Sequence, residues 1–241
     1  MDPELVGTPP DDPLSVGTQA LGFAVRDIAR AVERLESFGC VVHSSGQDPF
    51  GARWVSVRDS RSVTLDLVED LPESMERTLM RHLRITCDDL ESSVTWYERL
   101  GAAVVDRAVV SDGSFLGISA PVDTHLVRLR LPDEGFELLL VGWAGAISRG
   151  RHPALVNHAG LYRAAVAADD TRRTYVDLSG EGWEFSRSPK LVVLPGKDVQ
   201  DMWISFATDP NGIPIEFVQR PRSAFREDPA GIAIENRKLE L

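Results

Sequence analysis

Residues 82–102 read HLRITCDDLESSVTWYERLGA, and this stretch decides the fold. It opens with a short apolar strand and continues as an amphipathic helix that ends at Gly101. Asp89 stands at the start of the helix, where a carboxylate caps free backbone amides and meets the positive end of the helix dipole. Alternating apolar residues follow as far as Trp143 and predict three more strands, which completes a β-α-β-β-β unit.

The same order of elements occurs three times along the chain. The unit over residues 81–143 is preceded by one over residues 17–72 and followed by one over residues 154–221. In the two flanking units, Asp27 and Asp170 stand at the helix starts, and glycines fall where each helix must end. The sequence therefore predicts an α+β fold built from three tandem βαβββ units.

The composition excludes several classes of function. The 241 residues include 26 Lys and Arg against 37 Asp and Glu, with a formal net charge of -11 and a pI near 4.9. Counterion release needs a basic face, so neither nucleic acid nor an anionic membrane is an expected partner. No apolar run reaches the roughly 20 residues of a membrane helix, and the two cysteines, Cys40 and Cys87, fit a reducing compartment. We expect a cytoplasmic protein, with residues 1–16 as an arm and residues 222–241 as a tail.

Two imidazoles and two carboxylates occupy matching places in the second and third units. His82 and His158 lie on the first strand of their units, and Glu137 and Glu216 lie on the last. A carboxylate inside an apolar strand must be compensated if it faces the core. Convergence of the four side chains from facing sheets would supply that compensation around a divalent metal ion. Mixed nitrogen and oxygen ligands suit Fe, Mn, Ni, Co or Zn.

These features resemble the vicinal oxygen chelate superfamily, which includes glyoxalase I, methylmalonyl-CoA epimerase, extradiol dioxygenases, and bleomycin- and fosfomycin-resistance proteins. The resemblance is carried by the tandem units, the stretch over residues 82–102, the FELL strand that bears Glu137, and DPNGIPIEFV over residues 209–218. It covers about residues 81–220. It implies that two paired units form a cupped half-barrel of mixed sheet around one metal, with these ligands: His82, Glu137, His158 and Glu216.

The first unit departs from this pattern. Ala20 or a neighbour takes the place of the first-strand histidine, and the place of the last-strand glutamate falls near Thr64 or Asp66. We therefore expect this unit to be the extra one and to hold no metal, while residues 81–221 form the active-site domain. Its exposed sheet would be covered by the same unit of a second chain, which gives a homodimer, or by the arm and the tail.

The resemblance implies a protein that acts on a small molecule and leaves three functions open. The leading one is a metal-dependent, glyoxalase- or epimerase-like lyase or isomerase, with Glu137 or Glu216 as the general base. Its substrate would chelate the metal through two adjacent oxygens. The second is an Fe(II) extradiol-type ring-cleaving dioxygenase that uses His82, His158 and Glu216. The third is a metal-free protein that binds an antibiotic or a metabolite.

Other side chains near these strands are candidates for contact with the substrate. His125 lies in the strand before the last one of the second unit, and Tyr162 shares the parity of His158 on one strand. Both are expected to line the cup. Arg128 and Arg130 alternate with apolar residues and are expected to face solvent or an interface.

Overall fold

The computed structural model describes residues 12–71, 78–119, 122–131, 136–143, 160–193 and 202–219, which form three repeats of the same order. The first repeat comprises β1 (Gly17–Val25), α1 (Ile28–Ser37), β2 (Val41–Gln47), β3 (Arg53–Arg58) and β4 (Thr64–Glu69). The second comprises β5 (Leu79–Thr86), α2 (Leu90–Arg99), β6 (Ala103–Val110), β7 (Thr124–Arg130) and β8 (Glu137–Trp143), with a 3-10 turn at Ser114–Leu116. The third comprises β9 (Ala164–Ala167), α3 (Thr171–Gly180), β10 (Phe185–Leu191), β11 (Trp203–Thr208) and β12 (Pro214–Gln219).

The strands form two sheets. The larger is an open, curled half-barrel of eight strands in the order β2-β3-β4-β1-β5-β8-β7-β6. The smaller contains the third repeat in the order β10-β11-β12-β9. In every repeat the first strand lies parallel to the last, and β1 and β5 pair antiparallel at the centre of the large sheet. The predicted α+β fold, with two paired units and one extra unit, is confirmed.

The choice of paired repeats differs from the expectation. The first and second repeats share one sheet, and the third forms a sheet of its own, whereas the sequence favoured pairing of the second with the third. The smaller of two compact units in the chain accordingly begins at Arg163. The reason lies in β1, whose nine residues are all buried or half-buried and whose edge pairs with β5. Pairing satisfies the backbone groups along one edge of each strand.

Each helix begins at the aspartate that the sequence marks. Asp27, Asp89 and Asp170 each accept a hydrogen bond from a backbone amide of the first helical turn. The helices end at glycines, as at Gly101, whose φ of 98° lies in the left-handed region that favours glycine. Over the described part of the chain, we find no helix with the length and apolar character needed to cross a membrane.

Apolar clusters cover both faces of the large sheet. On one face, α1 packs Ile28, Ala31 and Leu35 against β3 and β4. On the other, concave face, a second cluster joins side chains of β3, β4, β7 and β8 to Phe115. We call this concave face the cup. Because side chains alternate along a strand, the polar residues that share the parity of the second cluster also point into the cup.

Loss of the α2 cap should have a measurable cost. Asp89→Ala is expected to lower the free energy of unfolding by about 1 kcal/mol, because Asp89 accepts the amide of Ser92 at 3.0 Å. Asp89→Asn keeps an oxygen acceptor and is the matched control, which should retain most of the stability. Urea denaturation followed by circular dichroism measures both variants. An equal loss in the two would contradict the capping role.

Candidate functional site

A row of polar side chains crosses the cup. In register from strand to strand, it runs through Ser56, Asp66, Gly22, His82, Glu137 and Arg130. Partners in register point to the same face of a sheet. Two carboxylates, an imidazole and a guanidinium therefore share one line across six neighbouring strands, with a glycine at its middle.

Asp66 is the most buried charge of this row, with 0% of its surface exposed. Its Oδ1 accepts hydrogen bonds from Ser56 Oγ at 2.6 Å and Arg84 Nη2 at 3.2 Å. Its Oδ2 lies 2.9 Å from Arg84 Nε and 3.5 Å from His82 Nε2. Burial opposes ionisation, but Arg84, His82 and Ser56 outweigh it and hold the pKa of the Asp66 carboxyl below its ordinary value.

The His82 ring is enclosed between Gly22 and Trp54. The two aromatic rings stack with their centroids 5.2 Å apart, and Trp54 Nε1 donates to Ser56 Oγ at 3.0 Å. A Cβ atom at position 22 would overlap the His82 ring, so only glycine fits there. Burial lowers the pKa of His82, and Asp66 offsets that effect only in part. The imidazole is therefore neutral at pH 7.

Glu137 is surrounded by three guanidinium groups. Arg130 Nη2 donates to Oε1 at 2.9 Å, while Arg128 Nε and Arg81 Nε lie 3.7 and 3.9 Å from Oε2. The residue is only 5% exposed, and among the described residues Oε2 has no hydrogen-bond partner. A buried carboxylate oxygen without such a partner can accept a proton or a hydrogen bond from a bound molecule.

Glu137 and His82 line a small pocket that is partly open to solvent. The guanidinium of Arg128 lies at its wall, 4.4 Å from the ring centroid of Phe50. Polarity changes along β7 and β8, where register pairs go from charged to apolar: Arg130 with Glu137, Arg128 with Leu139, and Leu126 with Val141. The pocket thus offers charged groups at one end and an apolar surface at the other.

The described side chains of the cup do not fit a divalent metal ion. In the part of the chain that the structure describes, no group of three His, Cys, Asp or Glu side chains is placed to hold one. Arg84 engages the carboxylate of Asp66, and three arginines surround that of Glu137. Guanidinium groups so close to the carboxylates would repel a divalent cation. Metal binding by the four-residue set stays a prediction.

The four predicted ligands have different surroundings. His82 and Glu137 are register partners on β5 and β8. Glu216 lies on β12 of the smaller sheet, where Arg163 Nη1 is 3.3 Å from its Oε2. His158 lies outside the described residues. The structure therefore brings two of the four together and describes a third in another sheet.

The two residues predicted to contact the substrate, His125 and Tyr162, lie in different parts of the structure. His125 lies on the face of β7 opposite to Leu126 and Arg128, which line the pocket. Tyr162 is half-buried and lies just before β9. The expectation that Arg128 faces solvent or an interface is wrong, since Arg128 lines the pocket together with Leu126. The alternation of side chains along β7 was the sequence signal that could have placed Arg128 beside Leu126.

The pairing of Asp66 with Arg84 was not predicted from the sequence. Asp66 was noted only because it lies near the position equivalent to Glu137 in the first unit. Arg84 was not predicted to be a site residue. No local signal marks the pair, because strands from two different repeats bring it together.

Comparison with protein families identifies the fold. Residues 79–217, more than half of the chain, match the model described as the Glyoxalase/Bleomycin resistance protein/Dioxygenase superfamily. The chain belongs to this superfamily. A second model of the same superfamily matches residues 19–120, so the matches together include all three repeats of this superfamily member. The resemblance noted in the sequence is confirmed.

Solved structures of the superfamily share the fold at low sequence identity. Glyoxalase I from Zea mays is 18% identical with a TM-score of 0.59, and the match covers 86% of this chain and 68% of that one. A glyoxalase I variant from Zea mays is 21% identical with a TM-score of 0.62, and the match covers 86% of this chain and 68% of that one. A putative dioxygenase from Bacillus subtilis is 16% identical with a TM-score of 0.52, and the match covers 86% of this chain and 63% of that one. No curated protein sequence matches the chain.

Gly22 and His82 should be energetically coupled. Gly22→Ala is expected to lower the free energy of unfolding by about 1–3 kcal/mol, because the added methyl group overlaps the imidazole. In a His82→Ala background the same change should cost much less. A double-mutant cycle from denaturant unfolding measures the coupling. Equal costs in the two backgrounds would show that the ring does not set the requirement for glycine.

His82 should also make stability depend on pH. Its folded-state pKa lies below the unfolded value, so the unfolded chain binds the proton first and stability falls as pH drops through about 6.5. The depressed pKa of Asp66 adds a loss only at more acid pH, below its unfolded value of about 4.

His82→Gln should therefore flatten the dependence between pH 7.5 and 5.5, measured by urea unfolding across that range. His43→Gln is the comparison variant. His43 is half-buried and its pKa is also lowered by burial, so its loss should flatten the profile less. An unchanged slope in His82→Gln would contradict the assignment of a neutral buried imidazole.

Proposed function

We propose that this superfamily member is an enzyme of the lyase or isomerase type that moves a proton at a carbon next to a carbonyl group. Its substrate is a small organic molecule bound in the cup, and Glu137 is the general base. The proposal rests on one observation: a buried carboxylate oxygen, Glu137 Oε2, lines the pocket without a hydrogen-bond partner among the described residues.

The groups around Glu137 suit such a step. As the substrate C–H bond breaks, the proton goes to Oε2 and the electron pair moves onto the carbonyl oxygen, which forms an enolate. Arg81 and Arg128 lie beside the base and supply positive charge to the developing oxyanion. Return of the proton from Glu137 to the opposite face of the same carbon completes an epimerisation. Where that carbon bears a hydroxyl group, return of the proton to the former carbonyl carbon completes an isomerisation, because the hydroxyl proton passes to the enolate oxygen and the hydroxyl carbon becomes the new carbonyl. The proton and the electrons balance without an external oxidant.

The rest of the pocket would orient the substrate. The small size of the pocket limits the site to a small molecule. Leu126, Leu139 and Phe115 offer an apolar surface to its carbon skeleton, while the oxygens face the arginines. His82, held by Asp66 and Trp54, forms a rigid neutral part of the wall.

Other parts of the sequence-based hypothesis remain predictions. Glu216, the alternative base, is ion-paired with Arg163, and its catalytic role is a prediction only. The same holds for the metal-dependent form of the reaction, for the dioxygenase, for the homodimer and for the cytoplasmic location.

A metal-free binding protein is the second candidate. One observation favours it: both carboxylates of the polar row, Asp66 and Glu137, are already held by guanidinium groups. These ion pairs stabilise the buried carboxylates whether or not either of them has a catalytic role. In this second candidate the pocket binds an antibiotic or a metabolite and leaves it chemically unchanged.

Hydrogen exchange tests the enzyme proposal. Proton NMR in D₂O, with a panel of small 2-oxo acids, 2-hydroxy acids and 2-oxo aldehydes, should show enzyme-dependent entry of deuterium next to the carbonyl. Glu137→Gln should slow this exchange by about 100-fold or more. Glu91→Gln is the matched control, because Glu91 is exposed and pairs with Arg107.

Two outcomes would reject the proposal. Exchange that is unchanged in Glu137→Gln would remove Glu137 as the base. Binding of panel members without any exchange would favour the binding protein, and calorimetry on the same panel distinguishes that case.

A further inference from the structure

We infer that Arg84 supplies the positive charge at the centre of the cup in place of a metal ion, and that Asp66 and His82 form a divalent-cation site once that guanidinium is removed. This inference concerns the Asp66 end of the polar row. It does not depend on Glu137 acting as a base.

The register of the sheet explains how Arg84 reaches this place. Ala20 pairs with Thr64 across β1 and β4, as His82 pairs with Glu137 across β5 and β8. The first repeat thus offers an alanine and a threonine where the second offers an imidazole and a carboxylate. Ala20 is also the register partner of Arg84. Its small side chain leaves room in the cup for the long stem of Arg84.

Asp66 makes a counter-charge obligatory. It is fully buried, and an isolated carboxylate in such a place is strongly disfavoured. The guanidinium meets both of its oxygens, with Nε 2.9 Å from Oδ2 and Nη2 3.2 Å from Oδ1, and Arg84 is itself only 4% exposed. Two-point contact of this kind occupies the carboxylate on the side where a cation would bind.

The atoms left behind by removal of the guanidinium suit a metal. Asp66 Oδ2 and His82 Nε2 are 3.5 Å apart, and Ser56 Oγ lies 2.6 Å from Asp66 Oδ1. Two donors bound to one zinc ion at about 2.0–2.2 Å in tetrahedral geometry are separated by about 3.3–3.6 Å. A carboxylate and an imidazole are ligands that Zn²⁺ and Co²⁺ accept, with water at the remaining positions.

Titration with Co²⁺ tests the inference, because its visible absorption reports coordination and needs no substrate. Wild-type protein should show no absorption band that depends on Asp66 and His82. Arg84→Ala should gain one equivalent of bound Co²⁺, with an affinity at least about tenfold above that of the wild type. The double variant Arg84→Ala/Asp66→Asn should lose the gain.

Two single variants serve as controls. Arg84→Lys keeps a cation at this position and should not bind Co²⁺ more tightly than the wild type. Arg107→Ala removes an exposed arginine that pairs with Glu91 and should leave the titration unchanged. If Arg84→Ala folds only with metal, its thermal transition should appear on addition of Co²⁺, and Asp66→Asn should abolish that rescue.

Three results would overturn the inference. The first is Arg84→Ala that binds Co²⁺ no better than the wild type and is not stabilised by it. The second is a gain that persists in the double variant. The third is stoichiometric Co²⁺ binding by the wild type that is lost in both Asp66→Asn and His82→Gln. None of these results depends on proton transfer by Glu137.

Discussion

The ion pair between Asp66 and Arg84 is the constraint on which the rest of the cup depends. A carboxylate without solvent contact must have a counter-charge, and Arg84 delivers it from the neighbouring repeat. The pair spans β4, β1 and β5, so it can form only when the first two repeats share one sheet. It also fixes the surroundings of His82, whose Nε2 faces the same carboxylate. Charge compensation and repeat pairing are therefore one structural requirement.

Membership of a superfamily does not by itself decide the chemistry of this cup. The same curled sheet can present different side chains at equivalent register positions, and those side chains set what the site can bind. Here the second repeat contributes His82 and Glu137, while the first contributes Ala20 and Thr64. The consequence is an asymmetric cup. One half is rich in ionisable groups, and the other leaves space that a guanidinium fills.

Much of the fold could be predicted from local signals, and much of the site could not. Asp27, Asp89 and Asp170 mark the helix starts because capping involves only neighbouring residues. The prediction that His82 and Glu137 lie on the first and last strands of the second unit followed from the repeat. Pairing of repeats is a long-range choice between strand edges, which the positions of ionisable residues do not reveal. The Asp66–Arg84 pair depends on that choice and was inaccessible for the same reason.

Gly22 has a consequence for how this chain can vary. Its missing side chain makes room for an imidazole from the next repeat, so positions 22 and 82 cannot change independently. A lineage that kept the histidine would be confined to glycine at position 22. A lineage that replaced the histidine at position 82 with a small residue would tolerate alanine or serine at position 22. Paired substitution at these two positions would therefore record whether a relative retains this arrangement of the cup.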